Sequence, residues 1–458
     1  MGKKRNTGLI LAILSITAVL GLLAWFLITI FESENPQVQL GPIPEYLSEK
    51  QDIPLVMTDM KRGLRKVRVS LRQEGRDITI LDKAFPFQGL FNQEGTHRFE
   101  TVFPLDPSGL NQGRADLQVQ VWDYSRRSGG DGNLTISEHK ITVDTIPPAI
   151  RAVSRLHYVN RGGSGLVIYQ TTSDAVKSGI FVNDYFFPGF PGPKGSREGL
   201  HVCYFGIPLD VRKSPAIYLW AEDRAGNRSE ATFYCRMRKK RFRKAKIRVT
   251  DRFLKQILPG FSSYLKDTPQ GNVARFLKIN QDLRQENAQA FHDLRTKTVQ
   301  DRLWEGTWLR MKNAANMARF GDRRTYYYKG KKIDEQVHMG VDLASLANSD
   351  VPASNNGRVI FAGSMGIYGL TVVLDHGQGL ASTYSHLSSI AVQMDQEVAK
   401  GEIIGLTGQT GLAGGDHLHF GIMVSGLFVN PIEWWDGHWI QDNVLRKLAL
   451  LKGGKKGE

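Results

Sequence analysis

The sequence predicts a mainly β protein: an N-terminal transmembrane helix, two β-sandwich-like modules, a helical connector and a C-terminal glycine-rich antiparallel β domain. Three observations predict this class. An uncharged apolar run comes first, and a long region in which apolar and polar residues alternate follows it. Helical spacing appears only after residue 250, and glycines then separate further strand-like runs. With 41% apolar and 23% charged residues, most of the chain is expected to fold.

The apolar run from Gly8 to Phe31 is long enough to cross a membrane. It has 24 residues without a charge, and a hydrocarbon core of about 30 Å needs about 20. A cleavable signal has a shorter apolar core and a small-residue exit, which the sequence around Glu32 lacks. We therefore expect an uncleaved single-pass anchor. The basic segment 1–7 is expected to stay cytoplasmic, which places the rest on the periplasmic, extracytoplasmic side of an inner membrane.

The charge balance predicts an anionic environment. The net charge is +15 and the isoelectric point is near 9.6. An extracytoplasmic location disfavours nucleic acid and leaves anionic lipid or acidic wall polymers. Nine Lys or Arg residues fall between Arg236 and Arg248. They predict either a strand with one solvated basic face or a contact with wall polymer or lipid headgroups.

Two β segments have the pattern of a repeated module. Alternating strands at 117–121 and 217–221 each end in an acidic turn, at Asp123 and Asp223. The Asp144-Thr145-Ile146-Pro147-Pro148 boundary and the Asn227 end of the second copy resemble bacterial immunoglobulin-like modules. A spacer or wall-binding module and a β domain without a ligand both remain open.

The two cysteines of this region also leave two alternatives. Cys203 and Cys235 are too far apart for a CxxC site. They would form one disulfide in an oxidising compartment or remain buried thiols.

Residues 251–302 change to helical spacing. Apolar residues recur at intervals of three and four, or their sums, at Val273, Phe276, Leu283, Phe291 and Leu294. This connector is expected to pack on a neighbouring domain or to cover the active site. The sequence does not separate these alternatives.

Five of the eleven histidines lie between His338 and His419. In a strand, His417 and His419 project from one face because side chains alternate with period two. Asp342 follows His338 by four residues, with Gly340 and Val341 favouring a strand edge or turn. Two imidazoles and one carboxylate form a known catalytic zinc set with one position open for water. The chain has no His-Glu-x-x-His motif, so a histidine is expected to be the base.

Residues from about 316 to 436 resemble the LytM/lysostaphin-type zinc metallopeptidases, which cut peptide cross-links of peptidoglycan. The matching motifs occur in the order of that family: Phe320-Gly321-Asp322-Arg323, His338-Met339-Gly340-Val341-Asp342, Asp375-His376-Gly377, Tyr384-Ser385-His386-Leu387-Ser388, Lys400-Gly401, Thr410-Gly411, His417-Leu418-His419-Phe420 and Asn430-Pro431.

The resemblance implies a role for each key residue. His338, Asp342 and His419 would hold one Zn2+ per chain, and His386 and His417 would be the catalytic histidines. Further assignments are His376 as a turn residue, Tyr384 and Asn316 as structural residues or pocket contacts, and Asp416 and Leu370 as departures from the usual Pro and Asn.

The sequence thus predicts a membrane-anchored zinc metalloendopeptidase whose partners are peptidoglycan stem peptides, the membrane and other envelope proteins. The alternatives are a non-catalytic activator of cell-wall amidases and a wall-tethering protein. The predicted segments are a cytoplasmic segment 1–7, anchor 8–31, linker 32–49, β module 50–146, immunoglobulin-like module 147–250, helical connector 251–302, zinc peptidase domain 303–440 and basic tail 441–458.

Overall fold

The computed structural model describes residues 5–211, 213–266 and 271–452, with only the backbone of 5–7. Lys3 and Lys4, Pro269-Gln270 of the connector and the last six residues of the basic tail lie outside the described residues. The described chain is mainly β, as predicted. It divides into two compact units, Met1–Pro147 with Arg224–Asn227, and Pro148–Asp223 with Arg228–Glu458. The boundaries given above for the anchor, the linker, the modules, the connector and the peptidase domain remain predictions.

The first element is a long apolar helix, α1 (Arg5–Ile30). Its Gly8–Ile30 part has 23 residues with a mean hydropathy of 2.5, and none of it is buried by the rest of the protein. Its length and composition are compatible with a single-pass membrane anchor.

Eight strands of the first unit form two sheets around one core. The sheets have the orders β1-β3-β6 and β2-β8-β7-β4-β5. Leu117, Val119 and Val121 alternate along β7 and are fully buried, so the period-two pattern is the inward face of a central strand. The strands are β1 (Gln37–Leu40), β2 (Tyr46–Leu47), β3 (Gln51–Thr58), β4 (Leu64–Gln73), β5 (Arg76–Ala84), β6 (Arg98–Leu105), β7 (Gly113–Asp123) and β8 (Leu134–Val143).

The second unit begins with two four-stranded sheets, β14-β15-β11-β9 and β13-β12-β16-β17, and a parallel pair β10-β18. Cys203 on β15 and Cys235 on β18 are free thiols. The strands are β9 (Ile150–Ala152), β10 (His157–Asn160), β11 (Ser164–Thr171), β12 (Ala175–Val182), β13 (Tyr185–Pro188), β14 (Phe190–Pro191), β15 (Leu200–Gly206), β16 (Ile217–Asp223), β17 (Arg228–Thr232), β18 (Cys235–Arg238) and β19 (Lys244–Val249).

The connector is helical, as its spacing predicts. Thr250 caps the first helix by accepting a hydrogen bond from the Phe253 backbone N–H at 3.2 Å. A π-helical turn, Ile279–Leu283, joins the second helix to the third. The helices are α2 (Asp251–Ile257), α3 (Asn272–Lys278) and α4 (Arg284–Asp293).

The C-terminal domain is built on a ten-stranded sheet with the central order β20-β23-β30-β27-β26-β25-β28. A separate sheet, β19-β21-β22, joins the end of the basic stretch to this domain. The elements are β20 (Ala315–Ala318), β21 (Arg323–Tyr328), β22 (Lys331–Val337), β23 (Val341–Ala344), β24 (Asp350–Pro352), β25 (Gly357–Ser364), β26 (Leu370–Gly377), β27 (Leu380–Ile390), β28 (Glu397–Val398), β29 (Ile403–Thr407), β30 (Leu418–Val424), β31 (Leu427–Val429), α5 (Pro431–Trp435), α6 (Gly437–Ile440) and α7 (Arg446–Leu448).

The sheets of 150–238 and the C-terminal domain share one core within the second unit. The buried rings of Tyr204 and Trp434 lie 6.2 Å apart. Buried Lys447, in the predicted basic tail, donates to the Leu166 carbonyl at 3.0 Å. The C-terminal domain therefore packs against the sheets of 150–238.

Candidate metal centre

Three neighbouring strands bring the predicted site residues together. β23 and β30 are antiparallel, and their register places Asp342 opposite His419. β27 pairs with the other edge of β30 and places Ser385, the residue before His386, opposite His419. His338 lies in the turn between β22 and β23. The central strand thus carries His419, and its neighbours supply the other groups.

Three atoms of these residues form a small triangle. Asp342 Oδ1 lies 2.9 Å from His338 Nε2 and 2.9 Å from His419 Nδ1. The two ring nitrogens are 3.0 Å apart. All three side chains are buried. Two imidazole nitrogens that face each other and one carboxylate oxygen fit a divalent cation, and this is the donor set of catalytic zinc sites.

Hydrogen bonds fix the tautomers of three histidines. Each donates its Nδ1–H to a backbone carbonyl, which can only accept: His338 to Arg319 at 3.1 Å, His386 to Thr410 at 2.8 Å and His417 to Gly415 at 2.8 Å. The neutral rings therefore present a lone pair at Nε2. For His417 this atom lies 3.7 Å from Asp342 Oδ1.

Burial also sets the charge of the site. It lowers the pKa of His386 to about 3 and of His419 to about 4, because the imidazolium form would lose its hydration. Burial alone would raise the pKa of Asp342, but the imidazoles of His338 and His419 hold it well below its ordinary value. The His419 imidazole is therefore neutral and the Asp342 carboxylate is ionised at neutral pH, which is the protonation that a cation requires of these two groups.

A glycine makes room for one of the ligands. A Cβ on Gly340 would lie 2.5 Å from His419 Nε2 and 2.6 Å from the Phe420 carbonyl oxygen. Any side chain here would therefore displace the His419 ring or the backbone of β30. This close approach explains the glycine inside the His338–Asp342 motif.

The triangle lines a cavity of about 260 Å³. The connector contributes Phe253, Phe276 and Arg284 to its wall. Phe276 packs on Tyr326 with ring centres 5.8 Å apart, which anchors the connector on the domain. The connector thus packs on the neighbouring domain and also walls the site.

Two residues at the site were missed by the sequence analysis. The Tyr368 ring stacks over His386 at 6.5 Å and meets His419 edge-on at 5.4 Å. Arg324 donates to Asp342 Oδ2 at 2.9 Å, so it holds the second carboxylate oxygen away from the triangle. In the sequence, only the glycines on either side of Tyr368 drew attention to it, and nothing near Arg324 indicated a role. Contacts of rings or charges between different strands leave no pattern in the local sequence.

Other predicted positions have structural contacts. His376 was expected to be a turn residue, but it is the penultimate residue of β26. Both of its ring nitrogens are bonded, one to the Asn356 carbonyl and one to Ser382 Oγ, at 2.7 Å each. The buried Tyr384 hydroxyl accepts from the Ser354 backbone N–H at 2.7 Å. Neither ring lines the cavity. Asn316 Oδ1 accepts a hydrogen bond from the Arg310 guanidinium at 3.1 Å, and Asp416 Oδ1 accepts one from the Thr407 hydroxyl at 2.6 Å.

The fold and the site define a β-rich domain with a candidate metal centre. Residues 336–431 match Peptidase family M23, so the chain carries a domain of this family, and the predicted resemblance is confirmed. The rest of the chain lies outside this match.

Curated relatives resemble the same region. DD-carboxypeptidase/endopeptidase Mpg of Neisseria meningitidis serogroup B is 38% identical over 98 residues, which are 21% of this chain and 23% of Mpg. Peptidoglycan DD-endopeptidase ShyA of Vibrio cholerae is 38% identical over 96 residues, 21% of this chain and 22% of ShyA. Murein hydrolase activator EnvC of Escherichia coli is 37% identical over 111 residues, which are 24% of this chain and 26% of EnvC. The chain spans about a quarter of the length of these relatives.

Proposed function

We propose that this protein is a membrane-anchored zinc metalloendopeptidase that hydrolyses peptide cross-links of peptidoglycan. One observation carries the proposal: His338, Asp342 and His419 converge in a triangle with sides of 2.9–3.0 Å, and two further histidines face the same cavity. A degenerate site would lack at least one of these groups. Here all five side chains are present.

The residues divide into two roles. His338 Nε2, Asp342 Oδ1 and His419 Nδ1 would hold Zn2+, which when bound supplies Lewis acidity and lowers the pKa of water to about 7. His386 and His417 bond through Nδ1 to backbone carbonyls, and no described residue forms a hydrogen bond with either Nε2 atom. One of them accepts a proton from the attacking water as its oxygen bonds to the amide carbon. The proton then passes to the leaving nitrogen when the C–N bond breaks.

The anchor and the domain family support the location and the substrate class. The N-terminal helix is compatible with a single-pass anchor, and the domain belongs to a family whose relatives include peptidoglycan DD-endopeptidases. We place the catalytic domain on the periplasmic side. The bond cut is one of three: a D-Ala–diaminopimelate cross-link, a carboxy-terminal stem-peptide bond or a glycine bridge.

Replacement of one ligand tests the proposal. His338→Ala is expected to abolish both zinc binding and the release of soluble fragments from purified peptidoglycan, because removal of one corner of the triangle leaves two donors. His438→Ala is the matched control, since His438 is exposed in α6. A His338→Ala protein that digests peptidoglycan as fast as the wild type would refute the proposal.

The similarity to EnvC supports a second candidate, a non-catalytic activator of cell-wall amidases. A wild-type protein that binds zinc, releases no fragments by itself and stimulates a purified amidase would establish it. A wall-tethering role would instead survive deletion of residues 303–440.

A further inference from the structure

We propose that the sheets of the first unit dock on the outer face of the membrane through the loop between β5 and β6. The tip of this docking loop (residues 85–97) enters the boundary between lipid headgroups and hydrocarbon. The partner is a bilayer that contains anionic lipid. The inference goes beyond the proposed catalysis and rests on one part of the proposed function, the placement of α1 in the membrane. The docking loop, the sheets and α1 belong to one compact unit.

The docking loop exposes apolar side chains. Leu90 at its tip is 74% exposed and Phe87 is 48% exposed. The ten residues 84–93 carry no charge, so no charged group would have to leave water if the tip entered a bilayer. Single exposed apolar side chains are common on protein surfaces. The position of these two beside the anchor is what distinguishes them.

The docking loop reaches the depth of the last turns of the anchor. The Phe91 ring contacts the rings of Trp25 and Phe26 of α1, with ring centres 5.7 Å apart in each pair. These two residues precede Ile30, the last residue of α1, by about 6–8 Å along the helix. The apolar span has 23 residues and a length of about 34 Å, whereas a hydrocarbon core is about 30 Å thick. The two rings therefore lie at the outer boundary of the core, and the tip of the loop lies beside them.

The fold holds the docking loop in this position. Phe91 and Asn92 have φ angles of 59° and 65°, a left-handed conformation that surrounding contacts must enforce. The buried Asn92 side chain accepts a hydrogen bond from the Gln88 backbone N–H at 2.8 Å and donates one to the Arg62 carbonyl at 2.7 Å. The Arg62 guanidinium in turn donates to the Phe91 carbonyl at 3.0 Å. These contacts fix the conformation in which Leu90 is exposed.

Two arginines join the sheets to the end of the anchor. The Arg126 backbone N–H donates to the Ile30 carbonyl at 2.8 Å, and Arg127 Nε donates to the Phe31 carbonyl at 2.9 Å. Both arginines are exposed, and neither forms an ion pair with a residue that the structure describes. Their charges are therefore uncompensated at the level where α1 ends.

The order of these groups along the anchor matches the layers of a bilayer. The two arginines lie where α1 ends, and aromatic and apolar side chains lie about one helical turn deeper. An anionic membrane surface attracts basic side chains, and aromatic rings are enriched at the boundary between headgroups and hydrocarbon. A partner protein or a second copy of the chain would not require this order relative to a transmembrane helix. The surface is therefore assigned to the bilayer.

The test places an environment-sensitive nitrobenzoxadiazole label on the full chain, reconstituted in vesicles of phosphatidylcholine and phosphatidylglycerol. Leu90→Cys carries the label in the docking loop, and Ser108→Cys is the matched control. Ser108 is exposed beyond the far end of β6, a strand about 24 Å long that begins next to the docking loop. Both variants are made in a Cys235→Ala background, because Cys203 is fully buried and does not react.

If the docking loop enters the bilayer, the label at position 90 should emit further to the blue than the label at position 108. It should escape quenching by aqueous iodide, which should still quench the control. A lipid with a nitroxide near the top of its acyl chain should quench only the label at position 90, because that depth corresponds to the rings of Trp25 and Phe26.

Lipid charge separates the contribution of the arginines from that of the apolar tip. In vesicles of phosphatidylcholine alone, the response at position 90 should weaken. Arg126→Gln/Arg127→Gln should show this weaker response in anionic vesicles also. Arg114→Gln/Lys140→Gln removes the same charge from exposed residues toward the other end of β7 and β8, and should respond like the parent protein.

Three results would overturn the inference. They are equal iodide quenching at the two positions, a response at position 90 that ignores lipid charge, and a blue shift that grows with the number of chains per vesicle. The third result would mean that a second copy of the chain covers the docking loop.

Failure of the proposed function is measured separately. A chain that alkaline carbonate extracts from the vesicles refutes the membrane anchor. A retained chain whose label at position 90 stays in water refutes only the docking. Fragment release from purified peptidoglycan tests the catalytic proposal independently of both.

Discussion

Replacing Gly340 by alanine should disable the metal centre without removing a ligand. The added Cβ would meet His419 Nε2 at 2.5 Å, His419 Cε1 at 2.6 Å and the Phe420 carbonyl oxygen at 2.6 Å. Ordinary contact begins near 3.4 Å, so each approach is short by about 0.8–0.9 Å. The ring and the backbone oxygen cannot both stay in place.

The size of the effect of Gly340→Ala depends on which atoms have to move to make room for the added Cβ. Forcing one methyl group into a packed interior costs about 1–3 kcal/mol. The Phe420 oxygen belongs to β30, whose pairing with Val341 fixes the strand, so the His419 ring is the part that gives way. A shift of this size is large against the 2.9 Å separation of His419 Nδ1 and Asp342 Oδ1. Misplacing a ligand in this way weakens metal affinity about 10–100-fold.

The assay is a zinc titration against a chromophoric chelator, together with thermal unfolding of the zinc-free protein. Gly363→Ala is the matched control, because it lies in β25 of the same sheet and its added Cβ would meet only Phe361, at 3.8 Å. If Gly340→Ala binds zinc as tightly as the wild type and melts at the same temperature, the placement of His419 against Gly340 is wrong.

Two further predictions concern the remaining histidines. His417→Ala should keep its zinc and lose about 10²–10⁴-fold in kcat, because its Nε2 faces the site from outside the triangle; zinc loss measured by metal analysis would contradict that role. Burial lowers the pKa of His376 to about 4, against about 6.5 when unfolded, so the unfolded chain takes up the proton first as pH falls. The free energy of unfolding should therefore fall below pH 6.5, by about 2 kcal/mol at pH 5, and level off below pH 4. Denaturant titrations followed by tryptophan fluorescence, to which Trp308 contributes with its ring 4.4 Å from the His376 ring, should show this slope in the wild type and a flatter one in His376→Gln; equal slopes would contradict the assignment.

The sequence determined the features that depend on local spacing. Period-two alternation marks β7 and β16, and the apolar spacing from Val273 to Leu294 marks the connector helices, because each pattern reflects one face of one element. The ordered motifs between His338 and His419 identified the metallopeptidase family, because each motif is a short run of residues that can be recognised in the sequence alone.

Only the tertiary structure decided how distant segments meet. His338 and His419 are 81 residues apart in the sequence, and the pairing of β23 with β30 brings them together in the triangle. The basic stretch reaches the metal centre because β19 pairs with β21, and the connector reaches it through Phe276 and Arg284. Strand pairing and packing are contacts between residues remote in sequence, so no local pattern encodes them.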